Sequence, residues 1–291
     1  MGQIIINILY TSFLYLLISI SVSIEYTTVK FFNLFHGIVI SAGAYLVYFF
    51  SLQLGLKIYL GIPLAIILSI LLGVLSEWVL FRSLRKRNVK PLQVMIASLG
   101  LYVIFQNLIS MTWGDASLSI RQENIVVGNK FLGGYITNNE IKIIVISAFL
   151  FFLMRFFLKH TSIGKNIRAI SSNSLLSNIF GINTNRVIEH SYILGSLFAS
   201  IAGILAAYET GLSPNMGFNL FLYGAVVMII GGVGGTWGLV AGAFLLAFAQ
   251  NIAAFYISSQ WMNGITYIIL ILFLIWKPLG FSGKRLKKVE I

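Results

Sequence analysis

Residues 210–276 read TGLSPNMGFNLFLYGAVVMIIGGVGGTWGLVAGAFLLAFAQNIAAFYISSQWMNGITYIILILFLIW, a run of 67 residues without a single Asp, Glu, Lys or Arg. A helix needs about 20 mainly apolar residues to cross the hydrocarbon core of a membrane. The run is too long for one helix and too apolar for a soluble core, and it fits two or three crossings. The whole chain agrees, since 58% of its 291 residues are hydrophobic and only 10% are charged, against about a quarter in soluble domains. The sequence therefore predicts an integral membrane protein.

Apolar runs of similar length continue towards the N-terminus. They predict nine candidate spans, with edges placed to within about two to four residues: 4–24, 34–51, 58–81, 92–112, 141–158, 188–208, 219–231, 237–257 and 262–276. The first basic residue is Lys30, so the first run lacks the charged start of a cleavable signal peptide and is expected to remain as a helix. The expected fold is an all-α polytopic membrane protein of about 8–9 transmembrane helices, forming a single transmembrane domain over residues 1–291.

Basic residues indicate the orientation. The net charge is +12, but the Lys and Arg residues form short blocks between apolar runs, which is typical of topogenic charge and not of nucleic-acid binding. Sixteen of the 20 lie in one set of loops: Lys30, Arg82, Arg85, Lys86, Arg87, Lys90, Arg155, Lys159, Lys165, Arg168, Arg186, Lys277, Lys284, Arg285, Lys287 and Lys288. The other four are Lys57, Arg121, Lys130 and Lys142. The larger set should be cytoplasmic, with the N-terminus outside and the C-terminus inside. The short segment 219–231 must then cross as well, as part of a broken or tilted helix.

Two loops are long enough to carry a function. The external loop, 113–140, mixes charged residues with glycines, and the cytoplasmic loop, 159–187, sets apolar residues among Ser and Asn. Those apolar residues are Ile167, Ile170, Leu175, Ile179 and Phe180. The pattern predicts one or two short amphipathic helices. Such helices either lie on the lipid surface or dock a soluble partner, and periodicity leaves both readings open.

Polar residues interrupt the spans at a few positions. Asn33, His36 and Gly37 form a polar break at the start of the second span. A histidine with a satisfied ring at the membrane interface would explain it, but a break lining a transport pathway is favoured. Glu209 ends a span on the outer side and either reaches into water or lines a vestibule.

Other polar residues have simpler predicted roles. Glu77 and Glu189 are expected to form ion pairs with the nearby Arg82 and Arg186. Helix–helix hydrogen bonds are predicted for the uncharged residues within spans, which are Gln106, Asn107, Gln250 and Asn251.

Glycines divide into two groups. Gly195, Gly203 and Gly242 are expected to permit close helix packing. The cluster at 231–238, which includes Gly231, Gly232, Gly234 and Gly235, would destabilise a plain helix by about 1 kcal/mol per glycine relative to alanine. A hinge or unwound segment near 231–238 is therefore predicted.

Catalytic signatures are missing from the sequence. The chain has no cysteine, which excludes thiol catalysis and cysteine metal sites. Neither a P-loop, an H-E-x-x-H motif nor a G-x-S-x-G motif occurs. The sequence predicts a protein that is not an enzyme and needs no cofactor or metal.

Several motifs together resemble one family, the permease subunits of bacterial branched-chain amino-acid ABC importers of the smaller H type. The similar stretches are Asn33-Leu34-Phe35-His36-Gly37, Gly43-Ala44-Tyr45, Glu77 to Arg87, Ile96 to Gly100, Phe105-Gln106-Asn107, Gly164 with Arg168-Ala169, Gly181 to Val187, and Gly231 to Gly234 before Gly238. The resemblance covers nearly the whole chain. It implies alternating access across the bacterial inner membrane.

The resemblance also implies partners and site residues. The partners are a second permease subunit, two cytoplasmic ATPase subunits and an external solute-binding protein, besides the membrane lipid. The expected pathway residues are Asn33, His36, Gly37, Glu209, Gly231, Gly232, Gly234 and Gly235. The expected ATPase-coupling residues are Gly164, Arg168, Ala169, Gly181, Ile182, Asn183 and Arg186. Related permeases handle urea, short amides or nucleosides. An autonomous channel or secondary transporter is the alternative of another class, and the spans lack the buried carboxylate pair that a coupling-ion site would need.

Overall fold

The computed structural model describes residues 2–121, 128–131 and 133–282, and this part of the chain is helical apart from one short β-hairpin. Residues 122–127 of loop 113–140 and the basic residues Lys284, Arg285, Lys287 and Lys288 lie outside the described residues. The elements in chain order are α1 (Gly2–Val29), α2 (His36–Tyr48) with a π-helical end (Phe49–Gln53), α3 (Ile58–Ser76), a π-helical turn (Glu77–Phe81), α4 (Arg82–Lys86), α5 (Pro91–Trp113), β1 (Asn129–Phe131), β2 (Gly134–Ile136), α6 (Asn138–His160), α7 (Ser162–Ser172), α8 (Ser174–Ile179), α9 (Thr184–Thr210), α10 (Met216–Gly231), α11 (Thr236–Tyr256), a 3-10 turn (Ser259–Trp261) and α12 (Met262–Trp276).

The nine predicted spans each match a helical segment. Within the described residues, eight segments are long and apolar enough to cross a membrane, and α10 is a shorter apolar helix. At 1.5 Å per residue its 16 residues extend about 24 Å. The prediction of an all-α polytopic membrane protein is confirmed.

Local sequence signals account for where several helices begin. Pro91 is the first residue of α5, a position that does not require a backbone N–H donor. Thr137 and Glu140 form a capping box at α6, in which the Thr137 N–H donates to Glu140 Oε2 over 2.6 Å. Thr161 caps α7 and Asn173 caps α8, each by accepting a bond from a backbone N–H two or three residues into its helix. The prediction of one or two short helices in loop 159–187 is confirmed by α7 and α8.

The described chain divides into two compact units. Unit 1 comprises Met1–Ser23, Val127–Val187 and Tyr223–Ile291, and unit 2 comprises Ile24–Val126 and Ile188–Leu222. The β-hairpin belongs to unit 1, where β1 and β2 pair antiparallel with Lys130 opposite Tyr135. The interior of each unit is formed by apolar side chains with small residues where two helices approach closely.

In unit 2, small residues bring the backbones of α2 and α9 together. A Cβ added at Gly43 of α2 would lie 2.7 Å from both Cα and O of Ser200 in α9. A Cβ at Gly203 would lie 2.8 Å from the carbonyl carbon of Ile40. Close approach of this kind is how membrane helices gain packing energy where no hydrophobic effect separates them from lipid. The predicted packing role of Gly203 is confirmed.

In unit 1, one polar chain links three helices. Gln250 of α11 accepts a hydrogen bond from the Tyr15 hydroxyl and donates one to Thr266 Oγ1 of α12. The predicted helix–helix bonding is thus confirmed for Gln250. It is wrong for Asn251 and Asn107, whose side chains donate to carbonyls one turn earlier in their own helices. A side chain in an apolar helix can satisfy its donor on its own backbone without a neighbouring helix.

Candidate functional site

The connection between α1 and α2, residues 30–35, carries a buried polar group in unit 2. Asn33 and His36 are both buried, and each faces the carboxylate of Glu25, which lies in the last part of α1. Asn33 Nδ2 donates to Glu25 Oε2 over 3.0 Å, and His36 Nδ1 lies 2.9 Å from Glu25 Oε1. One carboxylate therefore holds both polar residues of the predicted break.

Gly37 lies next to this group, where α2 meets the start of α10. A Cβ at Gly37 would lie 3.2 Å from the carbonyl oxygen of Gly217 and from Cα of Phe218. The Gly217 N–H donates to Ser41 Oγ over 3.1 Å, one turn further along α2. The structure thus brings Asn33, His36 and Gly37 together in the interior of unit 2.

Two further ion pairs lie in unit 2, and both involve arginines of the helical segment from α3 to α4. Glu77 in the π-helical turn is fully buried and pairs with Arg85, whose Nη1 lies 3.3 Å from Glu77 Oε2. Glu189 pairs with Arg82 over 3.1 Å. Ion pairing is confirmed for both carboxylates, and the partner of Glu77 is Arg85, which the prediction did not name. The helix from α3 to α4 carries both arginines, and its π-helical turn changes which side chains share a face.

Glu209 lies at the other end of α9, where it contacts Arg121 of loop 113–140. Its Oε2 is 2.6 Å from Arg121 Nη2, and Arg121 also donates to the carbonyl of Tyr208. Beside this pair, Leu118 and Leu212 exchange two backbone hydrogen bonds of 3.0 and 2.7 Å. The structure does not bring Glu209 together with the Asn33–Gly37 group.

The predicted glycine-broken segment is a tight turn between α10 and α11 in unit 1. The helix stops at Gly231, and residues 232–235, here called the glycine turn, are not helical. Gly232 and Gly234 have φ values of 88° and 81°, which favour glycine. The predicted interruption is confirmed in geometry.

The segment that follows α12 forms hydrogen bonds at the glycine turn. Phe281 N–H donates to the carbonyl of Ile230 over 2.9 Å, and Ser282 donates from N and Oγ to the carbonyl of Gly231 over 3.0 and 2.9 Å. These bonds satisfy carbonyls that the end of α10 leaves without a helical partner. A Cβ at Gly232 would lie 2.9 Å from the Leu279 carbonyl oxygen, so a glycine is needed there for space as well as for conformation.

Loop 159–187 divides its apolar residues between two helices. Ile167 and Ile170 of α7 are buried, whereas Leu175, Ile179 and Phe180 in and after α8 are exposed, Phe180 by 82%. Leu176 is exposed as well. These four exposed side chains, Leu175, Leu176, Ile179 and Phe180, are here called the α8 apolar patch.

The predicted coupling residues lie in the same loop as this patch or in the first turn of α9. Gly164 is buried against the end of α6, where a Cβ would lie 2.6 Å from Cα of Leu158. Gly181 has a φ of 80° and ends the α8 region in a turn. Ala169 and Ile182 are half-buried, whereas Arg168, Asn183 and Arg186 are exposed.

Comparisons with known proteins decide the family. The profile described as "Branched-chain amino acid transport system / permease component" matches residues 4–275. The chain belongs to this family. The high-affinity branched-chain amino acid transport system permease protein LivH of Escherichia coli K12 is 27% identical over 283 residues, covering 93% of this chain and 91% of the relative. BraD of Pseudomonas aeruginosa, a permease protein of the same description, is 25% identical over 293 residues, covering 97% and 95%.

The fold of this permease also occurs in a solved structure. PsaBC from Streptococcus pneumoniae in complex with Fab matches with a TM-score of 0.55 and 14% identity, covering 95% of this chain and 92% of that chain. At that identity the likeness shows the fold alone. The permease is thus a multi-pass membrane protein and a component of a transport system, in a family of transporters and not of enzymes.

Two structural features of the permease were not predicted from its sequence. Glu25 was missed because the first span was placed at 4–24, which left the carboxylate at the membrane edge, whereas α1 continues to Val29. The signal that could have found it is that Glu25 is the only charged residue before Lys30. The contact of Ser282 with the glycine turn joins residues 51 positions apart, and no local pattern encodes it.

Proposed function

We propose that this permease is a subunit of an ABC importer that moves branched-chain amino acids across the bacterial inner membrane by alternating access. It would act with a second permease subunit, two cytoplasmic ATPase subunits and an external solute-binding protein. Family membership and the names of the relatives support the solute class. Urea, short amides and nucleosides are the alternative solutes, and they are separated by measuring which compound binds the solute-binding protein encoded beside this chain.

The orientation with the N-terminus outside and the C-terminus cytoplasmic has three supports within unit 1. The Tyr135 N–H of the hairpin donates to Gln3 Oε1 over 2.9 Å, so the N-terminus lies with the external loop. Arg155, near the basic end of α6, donates to Thr236 Oγ1 over 2.8 Å and therefore lies with the glycine turn. The bonds from Phe281 and Ser282 put the C-terminal segment at that same end.

The α8 apolar patch is the observation that carries the coupling role. It is an exposed apolar surface in a loop that basic residues assign to the cytoplasm. A patch of this kind marks a contact with a protein or with lipid. We assign it to an ATPase subunit. Ile167 and Ile170 of the preceding helix α7 are buried, so a movement of the partner at α8 would be passed through α7 to α6.

Co-purification tests this assignment. Replacing Ile179 and Phe180 together by Ser should release the ATPase subunits and abolish ATP-dependent uptake, since both side chains would lie in the interface. The matched control is Lys165→Ser, an exposed position on α7 outside the patch. The double variant should still insert normally. Full co-purification together with unchanged uptake would remove the coupling role from α8. A channel or secondary transporter would show no ATPase partner for the wild-type chain either.

The gating residues follow from the same proposal. Asn33, His36 and Gly37 would form a gate, because they occupy a break between two helices of unit 2 and are closed off in the present conformation. Gly231, Gly232, Gly234 and Gly235 would permit movement between α10 and α11, since the turn is held by hydrogen bonds to a short terminal segment and not by helix. Glu209, clamped by Arg121, would belong to the outer vestibule.

A further inference from the structure

Glu25 is a buried carboxylate that the proposed function leaves without a role. It lies on α1 in unit 2, with its side chain almost fully shielded, and it contacts both Asn33 and His36. An ionisable side chain within a membrane segment is costly, and such residues are therefore rare and commonly functional. We propose that Glu25 is a positioning residue for transport, which holds the α1–α2 connection in the arrangement that the gate requires. This proposal rests on the proposed gating role of Asn33 and His36.

A carboxylate suits this position because it has two acceptor oxygens and no donor. Oε2 receives the bond from Asn33 Nδ2, and Oε1 faces His36 Nδ1. The two contacted residues lie at opposite ends of the turn that starts α2, where the His36 N–H also donates to the Asn33 carbonyl over 3.1 Å. Glu25 therefore fixes the turn from one side, and a buried partner of this kind cannot be replaced by water without opening the site.

The neighbouring helix is shaped around this carboxylate. A Cβ at Gly195 of α9 would lie 2.8 Å from both Cγ and Oε1 of Glu25, closer than real Cβ atoms approach. Any larger residue at 195 would push the carboxylate out of its place. The glycine that the sequence assigned to general helix packing thus makes room for one particular side chain.

Another polar group of α9, the Tyr192 hydroxyl, is also buried in unit 2. Tyr192 of α9 is fully buried and its hydroxyl has no hydrogen-bond partner among the described residues. Glu25, Glu77 and Arg85 are all close enough to act electrostatically on that hydroxyl. Glu77 has Arg85 as its partner, whereas the imidazole of His36 faces the Glu25 carboxylate.

Glu25→Gln tests the role, with Glu140→Gln as the matched control. Gln keeps the shape at position 25 but has one acceptor oxygen and no charge, so at least one of the two contacts is weakened. Glu140 is also buried, yet its capping bond from the Thr137 N–H needs a single acceptor that Gln retains. We expect Glu25→Gln to lower the maximal uptake rate of the assembled transporter about tenfold, the order of one lost charged hydrogen bond. The half-saturating solute concentration should change less than twofold, and Glu140→Gln should change neither.

The rate of cysteine labelling measures how accessible the α1–α2 connection is. The chain has no cysteine, so a single cysteine in place of the half-buried Phe32 reports access to the α1–α2 connection. Its reaction with a maleimide should be several-fold faster in the Glu25→Gln background than in the wild type. Glu25→Asp, which keeps both acceptor oxygens, should restore most of the slow labelling and most of the rate.

A substitution at Gly195 tests the same role if the Glu25→Gln variant does not accumulate in the membrane. Gly195→Ala should reduce uptake by displacing Glu25, and adding Glu25→Asp should recover part of it, because the shorter side chain leaves space for the new methyl group. Wild-type uptake and unchanged labelling in Glu25→Gln would overturn the proposal, as would failure of Glu25→Asp to relieve Gly195→Ala. If the wild-type chain shows no ATP-dependent uptake, the proposed function fails, and the labelling comparison still decides the role of Glu25.

Discussion

Gly43→Ala measures how strongly the close approach of α2 and α9 depends on a missing methyl group. The new Cβ would lie 2.7 Å from Cα and O and 2.9 Å from Cβ of Ser200, against 3.4 Å at the near edge of ordinary contact. Because two of these three atoms are backbone, the helices themselves must separate by several tenths of an ångström. Overpacking of this kind costs about 1–3 kcal/mol. Alanine also gains up to about 1 kcal/mol of helix propensity over glycine, which offsets part of that cost.

Gly100→Ala separates the two effects. Gly100 lies within α5, and apart from its chain neighbours and the adjacent backbone of α5 itself, no described atom lies within 4 Å of a Cβ added there. It gains the same propensity without the collision, so the difference between the two variants isolates the packing cost. Unfolding of the purified chain in mixed detergent micelles, followed by circular dichroism, should place Gly43→Ala about 1–3 kcal/mol below Gly100→Ala. Equal free energies of unfolding would refute the packing of α2 against α9.

Three further substitutions test other parts of the structure. Arg85→Gln should cost about 3–5 kcal/mol of stability in the same unfolding assay, because it leaves buried Glu77 without its partner, and adding Glu77→Gln should recover most of the loss. Ser282→Ala should lower the free energy of unfolding by about 1 kcal/mol, the value of one hydrogen bond to the end of α10, and an unchanged stability would mean that the terminal segment does not hold the turn. A cysteine at Asn129 should react with an impermeant thiol reagent from outside, and one at Ser172 only after the membrane is opened; the reverse pattern would overturn the orientation.

Much of the architecture followed from periodicity and charge. The nine candidate spans each coincide with a helix, and the spacing of Ile167 and Ile170 correctly indicated an amphipathic helix. These features are local, because a segment with no charge over about 20 residues has few alternatives to a membrane-spanning helix. The interruption at the glycine turn was also predictable, since closely spaced glycines destabilise any helix.

Which side chains form ion pairs or hydrogen bonds with each other was much less predictable. The sequence indicated that Glu77 and Glu189 form ion pairs, but the π-helical turn determines that Arg85 and Arg82 are their partners. The same holds for Gln250 and Asn251, which are adjacent and both carry a side-chain amide. Asn251 bonds to the backbone of its own helix, whereas Gln250 bonds to two neighbouring helices. A side chain on a helix turns by about 100° with each residue, so a small local distortion changes the neighbour that it meets.

The sequence by itself thus determined that this protein spans the membrane many times, which of its loops are basic, and which family it resembles. Only the tertiary structure decided that Glu25 lies buried between Asn33 and His36, that Gly195 makes room for it, and that Ser282 closes the end of α10. Hydrophobic content and charge act on each segment separately, and they can be summed along the chain. A buried polar contact exists only when two distant segments meet at hydrogen-bonding distance, and that geometry is a property of the packed helices and not of either segment.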